Sequence, residues 1–482
     1  MKKIYLILIV LLSHGSIAQL ITVSDNGRYL ERDGEAFVWI GDTAWELFHK
    51  LNREEASEYL QNRKDKKFTI IQAVVLAELD GLRKPNPYGN LPLHEMDPSN
   101  PNEKYFEHVD FIVDRAAKLG LVMGILPTWG DKLKTNNPGA GPEVFTPENA
   151  FVFGEFLGKR YQDYPVIWIL GGDRNVDSKN NFEIWKSMAL GLQKGDGGKH
   201  LISYHPRGAS TSSYWFHDLS WFDFNIYQSG HVSHFHKVYE FAEREYLLQP
   251  TKPFVDGEPP YEDIALRFWD FMNFSKQGYN RVPKGVLHQN GLIKDRSHFE
   301  AGFFDDYDMR VHGYWNFLSG ACGYTYGNNA VWQMFKKGEE LAIPALTDWR
   351  QALDRPGAAD MTHMRAIFES RPLSKLVPDQ SIIFGNNPKN QNHIRSAKAS
   401  DGSYLLIYLA KGQEVQVQMN NIAGKKAMAW WFNPREGTAD FIGNIATASI
   451  QIFTPPSSGN GNDWLLVIDE AKANYAKPGD WQ

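Results

Sequence analysis

From about residue 35 to residue 330, short apolar runs alternate with stretches whose apolar positions recur at helical spacing, the pattern of parallel β/α architecture. The strand-like runs are AFVWIGD, FTIIQAVVL, LVMGILPTW, PVIWILGGD, HLISYHP, WFDFNIYQ, KPFVDGE and GACGYTYG, eight in all. The helical stretches carry readable ends. Asn52 with Glu55 forms a capping-box pattern, and Thr146 followed by Pro147 reads as a cap and a first helical position. Phe106, Val109, Ile112, Val113 and Ala116 share one helical face that Gly120 is placed to end. Eight strands separated by helices predict an α/β fold of the (β/α)8 TIM-barrel type over residues 19–380.

After about residue 380 the period changes. SYLLIYLAKG, EVQVQMNN, AMAWWFNPREG, ASIQIFTPP and DWLLVIDE are strand-like, and Val415, Val417 and Met419 alternate with Gln416 and Gln418 as in a half-buried strand. Residues 381–482 are expected to form a small antiparallel β-sandwich, with the polar DQSIIFGNNPKNQNH near the junction.

The N-terminus reads differently. Lys2 and Lys3 precede the apolar IYLILIVLL, and Ser16 and Ala18 precede Gln19, which is the layout of an export signal over residues 1–18. The run is too short to span a membrane. The expectation is a chain exported to the periplasm or beyond, with no membrane contact after signal removal. Cys322 is the one cysteine and cannot form an internal disulfide, so burial must stabilise the core. Fifty-one basic against 57 acidic residues leave a net charge of −6 without long charged runs, which argues against a nucleic-acid partner or a polybasic membrane anchor. Aromatic residues are abundant, with 15 Trp, 21 Tyr and 29 Phe, and flat apolar rings suit stacking on sugars.

Barrel active sites lie at the C-terminal ends of the strands, and all eight strand ends here are polar. The first offers Asp42 and Trp45, the second Gln72 and then Glu78, the third Trp129, Asp131 and Lys132. The fourth ends in Asp173 and Arg174, the fifth in His205 and Arg207, the sixth in Tyr227 and Gln228. The seventh carries Asp256 and Glu258, and the eighth leads to Asn328 and Trp332. Of these, Asp173 and Glu258 are placed as the two carboxylates that glycoside hydrolysis requires, one protonating the departing oxygen and the other attacking the anomeric carbon or directing water. Asp256 competes with Glu258, strand alternation putting both on one face with Glu258 nearer the mouth, and Glu262 stands in reserve. An acid at Asp173 must hold a proton, so Arg174 is expected to pack outward or to contact another carboxylate.

Other chemistries fare worse. His231, His234 and His236 in HVSHFH match no usual zinc spacing and have no Cys or carboxylate among them, so no metal or other cofactor is expected. A phosphate-cradling glycine loop and a serine nucleophile elbow are both missing from the strand ends.

WIGDTAWELF (39–48), WILGGDRN (168–175), DGEPPYE (256–262) and a sandwich after the barrel together resemble the apiosidase-like enzymes of glycoside hydrolase family 140, over nearly the whole mature chain. The resemblance implies hydrolysis of apiosyl linkages in the pectic polysaccharide rhamnogalacturonan II by exported, Bacteroides-type glycan degraders, with Asp173 as acid/base and Glu258 as nucleophile. By position at the strand ends, Trp45, Trp129, Tyr227 and Trp332 are candidate stacking platforms and Gln72, His205, Gln228 and Asn328 candidate hydroxyl partners. Asp42 and Asp131 complete the substrate-binding set, and Lys132, Arg207 or Arg310 pairs the uronate groups of an acidic pectin. Two alternatives stay open: a glycosidase of the same barrel type acting on another plant sugar, and a non-catalytic glycan-binding protein.

Overall fold

The computed structural model describes residues 20–136, 139–271, 282–283, 285–339 and 341–481; the expected export signal, residues 1–18, lies outside them. A three-stranded antiparallel ribbon, Ile21–Val23, Leu30–Arg32 and Glu35–Phe37, leads into the barrel. The barrel strands are β1 (Trp39–Thr43), β2 (Ile70–Leu76), β3 (Val122–Thr128), β4 (Val166–Gly171), β5 (Ile202–His205), β6 (Asn225–Gln228), β7 (Phe254–Asp256) and β8 (Gly323–Tyr326). Seven fall within the apolar runs, and β1 runs one residue past AFVWIGD, to Thr43. They are joined in parallel in the order β5-β4-β3-β2-β1-β8-β7-β6, with the short antiparallel strand Ser210–Thr211 on the outer edge of β6.

The sheet is nearly closed. Between β5 and β6 no ladder forms; instead Asp223 accepts the Ile202 N–H on its carboxylate at 2.7 Å and donates its own N–H to the Ile202 carbonyl at 3.0 Å. This irregular seam also lacks a full crossover helix, holding only the four-residue Ser213–Phe216. Every other strand is followed by a helix of ten or more residues, namely Arg53–Asp65, Glu103–Lys118, Pro147–Tyr161, Lys179–Asp196, Val238–Leu247, Asp306–Phe317 and Pro356–Glu369. Asn52 and Glu55 form the reciprocal capping box at 2.9 and 3.1 Å. Gly120, at φ +74°, ends the helix whose apolar face is buried.

Trp39, Phe224, Ile70, Ile167, Ile169, Ile226 and Val255 pack inside the barrel as part of a larger core, so the interior is filled and substrate access is confined to the strand ends.

The C-terminal region is a two-layer antiparallel structure. Six strands run in the order Leu376–Pro378, Ile394–Ala399, Tyr404–Leu409, Trp464–Glu470, Lys426–Asn433 and Thr438–Ala446, and Val415–Gln418 pairs with Ile450–Phe453. Tyr404–Leu409 is buried on both faces, which explains its continuous apolar sequence: Leu405, Ile407 and Leu409 meet Val415, Val417 and Met419, while Leu406 and Tyr408 pack toward the barrel. Tyr408 stacks on Tyr314 with centroids 4.6 Å apart. Leu376–Pro378, Ile394–Ala399 and Thr438–Ala446 are strands that the apolar pattern does not single out, the last because most of its positions are exposed at a sheet edge.

Candidate active site

β4 delivers Asp173 through an unusual turn. Gly171, Gly172 and Asp173 have φ values of +87°, +117° and +49°. A Cβ at Gly171 would meet the His205 carbonyl oxygen, and one at Gly172 would lie 2.7 Å from the Trp129 indole, so both the backbone conformation and the space require glycine. Asp173 occupies the left-handed region at a cost of about 1–3 kcal/mol. Its side chain keeps 34 % exposure; enclosure by the surrounding walls raises its carboxyl above the usual value, Arg174 opposes the rise and the Glu258 charge adds to it.

Arg174 does not turn away as expected. Its Nη1 lies 3.2 Å from Asp173 Oδ2 and 2.8 Å from the Asp173 carbonyl oxygen, because the tight turn leaves the two neighbouring side chains on one side.

Glu258 lies just beyond β7, only 7 % exposed. His205 Nε2 is 3.0 Å from Oε2 and His231 Nε2 is 3.5 Å from Oε1. The His205 contact is short but tilted away from hydrogen-bond geometry. Burial works to raise Glu258, but the two imidazoles outweigh it and hold the carboxyl at about 2. Tyr261 completes this corner: its hydroxyl accepts from Trp45 Nε1 at 2.9 Å, and burial together with the Glu258 charge pushes its phenol up. Trp45 and Trp129, centroids 5.4 Å apart, both flank His205. The two carboxyls are thus displaced in opposite directions, the division of labour expected of an acid and a nucleophile.

Several residues at the strand ends are occupied elsewhere. Asp42, Tyr326, Tyr324, Asp256 and Tyr227 lie in the outward-facing row that the register links. Asp42 is bonded by Tyr59 and Arg63 at 2.6 and 2.5 Å. Tyr227 donates to Asn316 and stacks on Phe241, so it is not a sugar platform. Asp256, pushed up to about 7 by burial, accepts from Ser229 and Asn316. It does not share a face with Glu258, because β7 ends at Asp256 and the chain turns at Gly257.

Asp131 and Lys132 are buried and paired with each other at 2.5 Å, and Arg310 is enclosed by Asp306, Asp360 and Asp463; neither cation is free for a uronate. Gln72 donates to the Gly257 carbonyl at 2.9 Å and so steadies the chain ahead of Glu258. Asn328 caps the short helix Asn329–Trp332, and Trp332, 5 % exposed, donates to Asn329. Glu262 accepts from Tyr326 and Gly357, which closes it off from the mouth. Gln228 is buried with an unpartnered Oε1, whereas Arg207 is exposed and close enough for its charge to lower Asp173.

The histidines of HVSHFH separate. His231 faces Glu258, His234 pairs with Asp308 at 2.8 Å, and His236 packs beside Phe241. Among the described residues no group of three or more His, Cys, Asp or Glu is arranged to hold a metal ion, and no helix is long and apolar enough to cross a membrane.

The sequence alone assigned no role to His231 or Tyr261 in the site, and offered Glu78 only as a polar residue after the second strand. His231 was legible only as part of a histidine-rich loop. Half-buried Glu78 follows β2, and its carboxyl is pushed well up, by burial first and by the charges of Asp173, Asp131 and Glu46, with Arg174 opposing.

Comparison with known proteins places the chain in a family. A solved structure described as a glycoside hydrolase is 30 % identical over 96 % of this chain and 99 % of its own, with a TM-score of 0.80. Another, a glycoside hydrolase family 5 protein from Bacteroides vulgatus, is 28 % identical over 95 % of each chain, also with a TM-score of 0.80. A putative glycoside hydrolase from the same organism, 14 % identical, shares the fold at a TM-score of 0.62 over 94 % of this chain and 82 % of its own. Curated proteins yield no match. Residues 377–469 match the model of a putative collagen-binding domain of a collagenase, and residues 24–375 match the model of the apiosidase-like catalytic domain. The chain belongs to the apiosidase-like family, its barrel being the catalytic domain of a glycoside hydrolase.

Proposed function

We propose that the protein is an exported apiosidase that hydrolyses apiosyl linkages in the pectic polysaccharide rhamnogalacturonan II. The observation that carries this reading is the placement of two carboxylates at the ends of strands four and seven, Asp173 part-exposed and Glu258 buried between His205 and His231, in a chain of the apiosidase-like family.

Asp173 protonates the departing glycosidic oxygen as Glu258 forms a bond to the anomeric carbon. Water then attacks that carbon, gives its proton to Asp173 and releases Glu258 as carboxylate. Gln228 borders the sugar and Arg207 faces the acidic groups of the polymer; Trp45 and Trp129, 1 % and 2 % exposed, back His205 rather than serve as the stacking platforms expected of them.

Incubation with rhamnogalacturonan II is expected to release apiose. Asp173→Asn and Glu258→Gln each lower turnover by about 10²–10⁴-fold while binding persists; unchanged turnover in both would reduce the protein to a glycan binder. A glycosidase on another plant sugar is the second reading, favoured by the family 5 description of the Bacteroides vulgatus structure. Release of a different sugar, and no apiose, from a panel of pectic oligosaccharides replaces the first reading with it. Export predicts that the protein recovered from cells begins at Gln19.

A further inference from the structure

The two histidines beside Glu258 are held in the same way from behind. The Asp173 backbone N–H donates to His205 Nδ1 at 3.3 Å, and the Tyr261 backbone N–H donates to His231 Nδ1 at 3.3 Å. A backbone N–H only donates, so each Nδ1 presents its lone pair and each ring carries its hydrogen on Nε2. Those two Nε2 atoms face different oxygens of one carboxylate, His205 toward Oε2 and His231 toward Oε1. We propose that His205 and His231 are a matched pair whose Nε2–H dipoles are aimed at the two oxygens of Glu258 and position it, and that neither is a sugar ligand or a proton carrier. The catalytic part of this proposal rests on the assignment of Glu258 as nucleophile.

The surroundings restrain each ring. His205 meets Trp45 edge-on at 5.4 Å and Trp129 at 5.9 Å; His231 meets Tyr261 at 4.6 Å and Phe268 at 5.8 Å. The Gly230 N–H donates to the Glu258 carbonyl at 3.1 Å, which ties the His231 loop to the backbone it serves. His205 does more than its partner. Its two nitrogens join the backbone of Asp173 to the carboxylate of Glu258, so β5 sets the acid's turn against the nucleophile. Besides the two histidines, the titratable groups that face Glu258 are Asp173, Asp256 and Tyr261, with Arg174 and Arg207 acting through Asp173.

Two measurements test this. Long-range ¹H–¹⁵N spectra of the intact protein at neutral pH read the tautomer of each ring without substrate, assigned by the signals lost in His205→Gln and His231→Gln. The expected result is hydrogen on Nε2 alone in both; hydrogen on Nδ1 of either ring overturns the proposal. Kinetically, His205→Ala and His231→Ala lower kcat on the order of 10²-fold with KM nearly unchanged, and move the acid limb of kcat/KM to higher pH because Glu258 loses a donor. Gln keeps an N–H near the Nε2 position and is expected to restore most of both effects. A raised KM with unchanged kcat and pH profile would instead identify sugar ligands. His205 is fully buried, so where its Ala variant does not fold, the Gln variant and the spectra decide. Inactivity of the native protein on every glycoside removes the catalytic reading alone, and the spectra then show whether the donor pair exists.

Discussion

Arg174 lies across Asp173, its Nη1 3.2 Å from Oδ2, so the carboxyl proposed as the acid is opposed by its own chain neighbour. The guanidinium limits how far enclosure raises Asp173. Arg174→Met removes that opposition, and Asp173 then keeps its proton to higher pH. The alkaline limb of kcat/KM is expected to move to higher pH while the acid limb, set by Glu258, stays. A shift to lower pH contradicts the assignment of Asp173 as the acid.

Glu78 is expected to work in its protonated form, since burial and three neighbouring carboxylates push it well up. Glu78→Gln reproduces that form and leaves turnover at neutral pH nearly unchanged. Glu78→Asp, shorter by one methylene, changes the cleft wall and lowers it. If Gln is as harmful as Ala, Glu78 acts as a carboxylate.

Glu262 gives the fold a pH dependence of known sign. Burial, with Asp263 adding, raises its carboxyl to about 8, whereas an unfolded chain releases that proton near the ordinary value of about 4.3. Between these values the native state binds more protons than the unfolded one, so this contribution is fully present below about 4.3 and declines as pH rises toward 8. Glu262→Gln removes the decline. The Tm difference between native protein and variant is therefore expected to move in the variant's favour from pH 5 to pH 8.5; parallel curves would show that Glu262 is ionised throughout.

Gly171→Ala tests the turn that carries Asp173. The substitution adds about 1–3 kcal/mol of backbone strain and forces a Cβ against the His205 carbonyl. Urea denaturation is expected to show that loss, with activity falling further because Asp173 and His205 both shift. Native stability and activity together would mean that the turn is not constrained as described.

Arg310→Met tests whether that cation is structural. Its Nη1 is 2.5 Å from Asp306 and 2.6 Å from Asp360, and its Nε 3.1 Å from Asp463 of the C-terminal sheet. Removing the cation leaves buried carboxylates uncompensated and costs about 3–5 kcal/mol, read as a lower denaturation midpoint. KM for acidic oligosaccharides is expected to hold; a rise in KM without loss of stability would return Arg310 to the substrate.

Much of the frame was legible because it follows from local physics. Apolar runs of strand length, a capping box at Asn52 and Glu55, and a glycine at the end of a helix each depend on residues a few positions apart. The same holds for Gly171 and Gly172, which mark a turn wherever they stand, and for the carboxylates at 173 and 258 that follow apolar runs. Strand candidates fail where an exposed edge needs no apolar pattern, as in Thr438–Ala446.

Which polar side chain reaches the mouth was not legible in this way. Parity along a strand places Asp42, Tyr227 and Asp256 on one side or the other only once the barrel closes, and the closed barrel turns all three toward the helices. Charge partners follow the same rule. Arg63 reaches Asp42 from 21 positions away, and Arg310 reaches Asp463 from 153. The sequence by itself therefore determined the barrel, the following β-domain and the two carboxylate positions, because these rest on short-range periodicity and turn chemistry. The tertiary structure alone decided that Asp173 is opposed by Arg174, that His205 and His231 converge on Glu258, and that Lys132 and Arg310 are neutralised, because each depends on distances set only when separate strand ends meet.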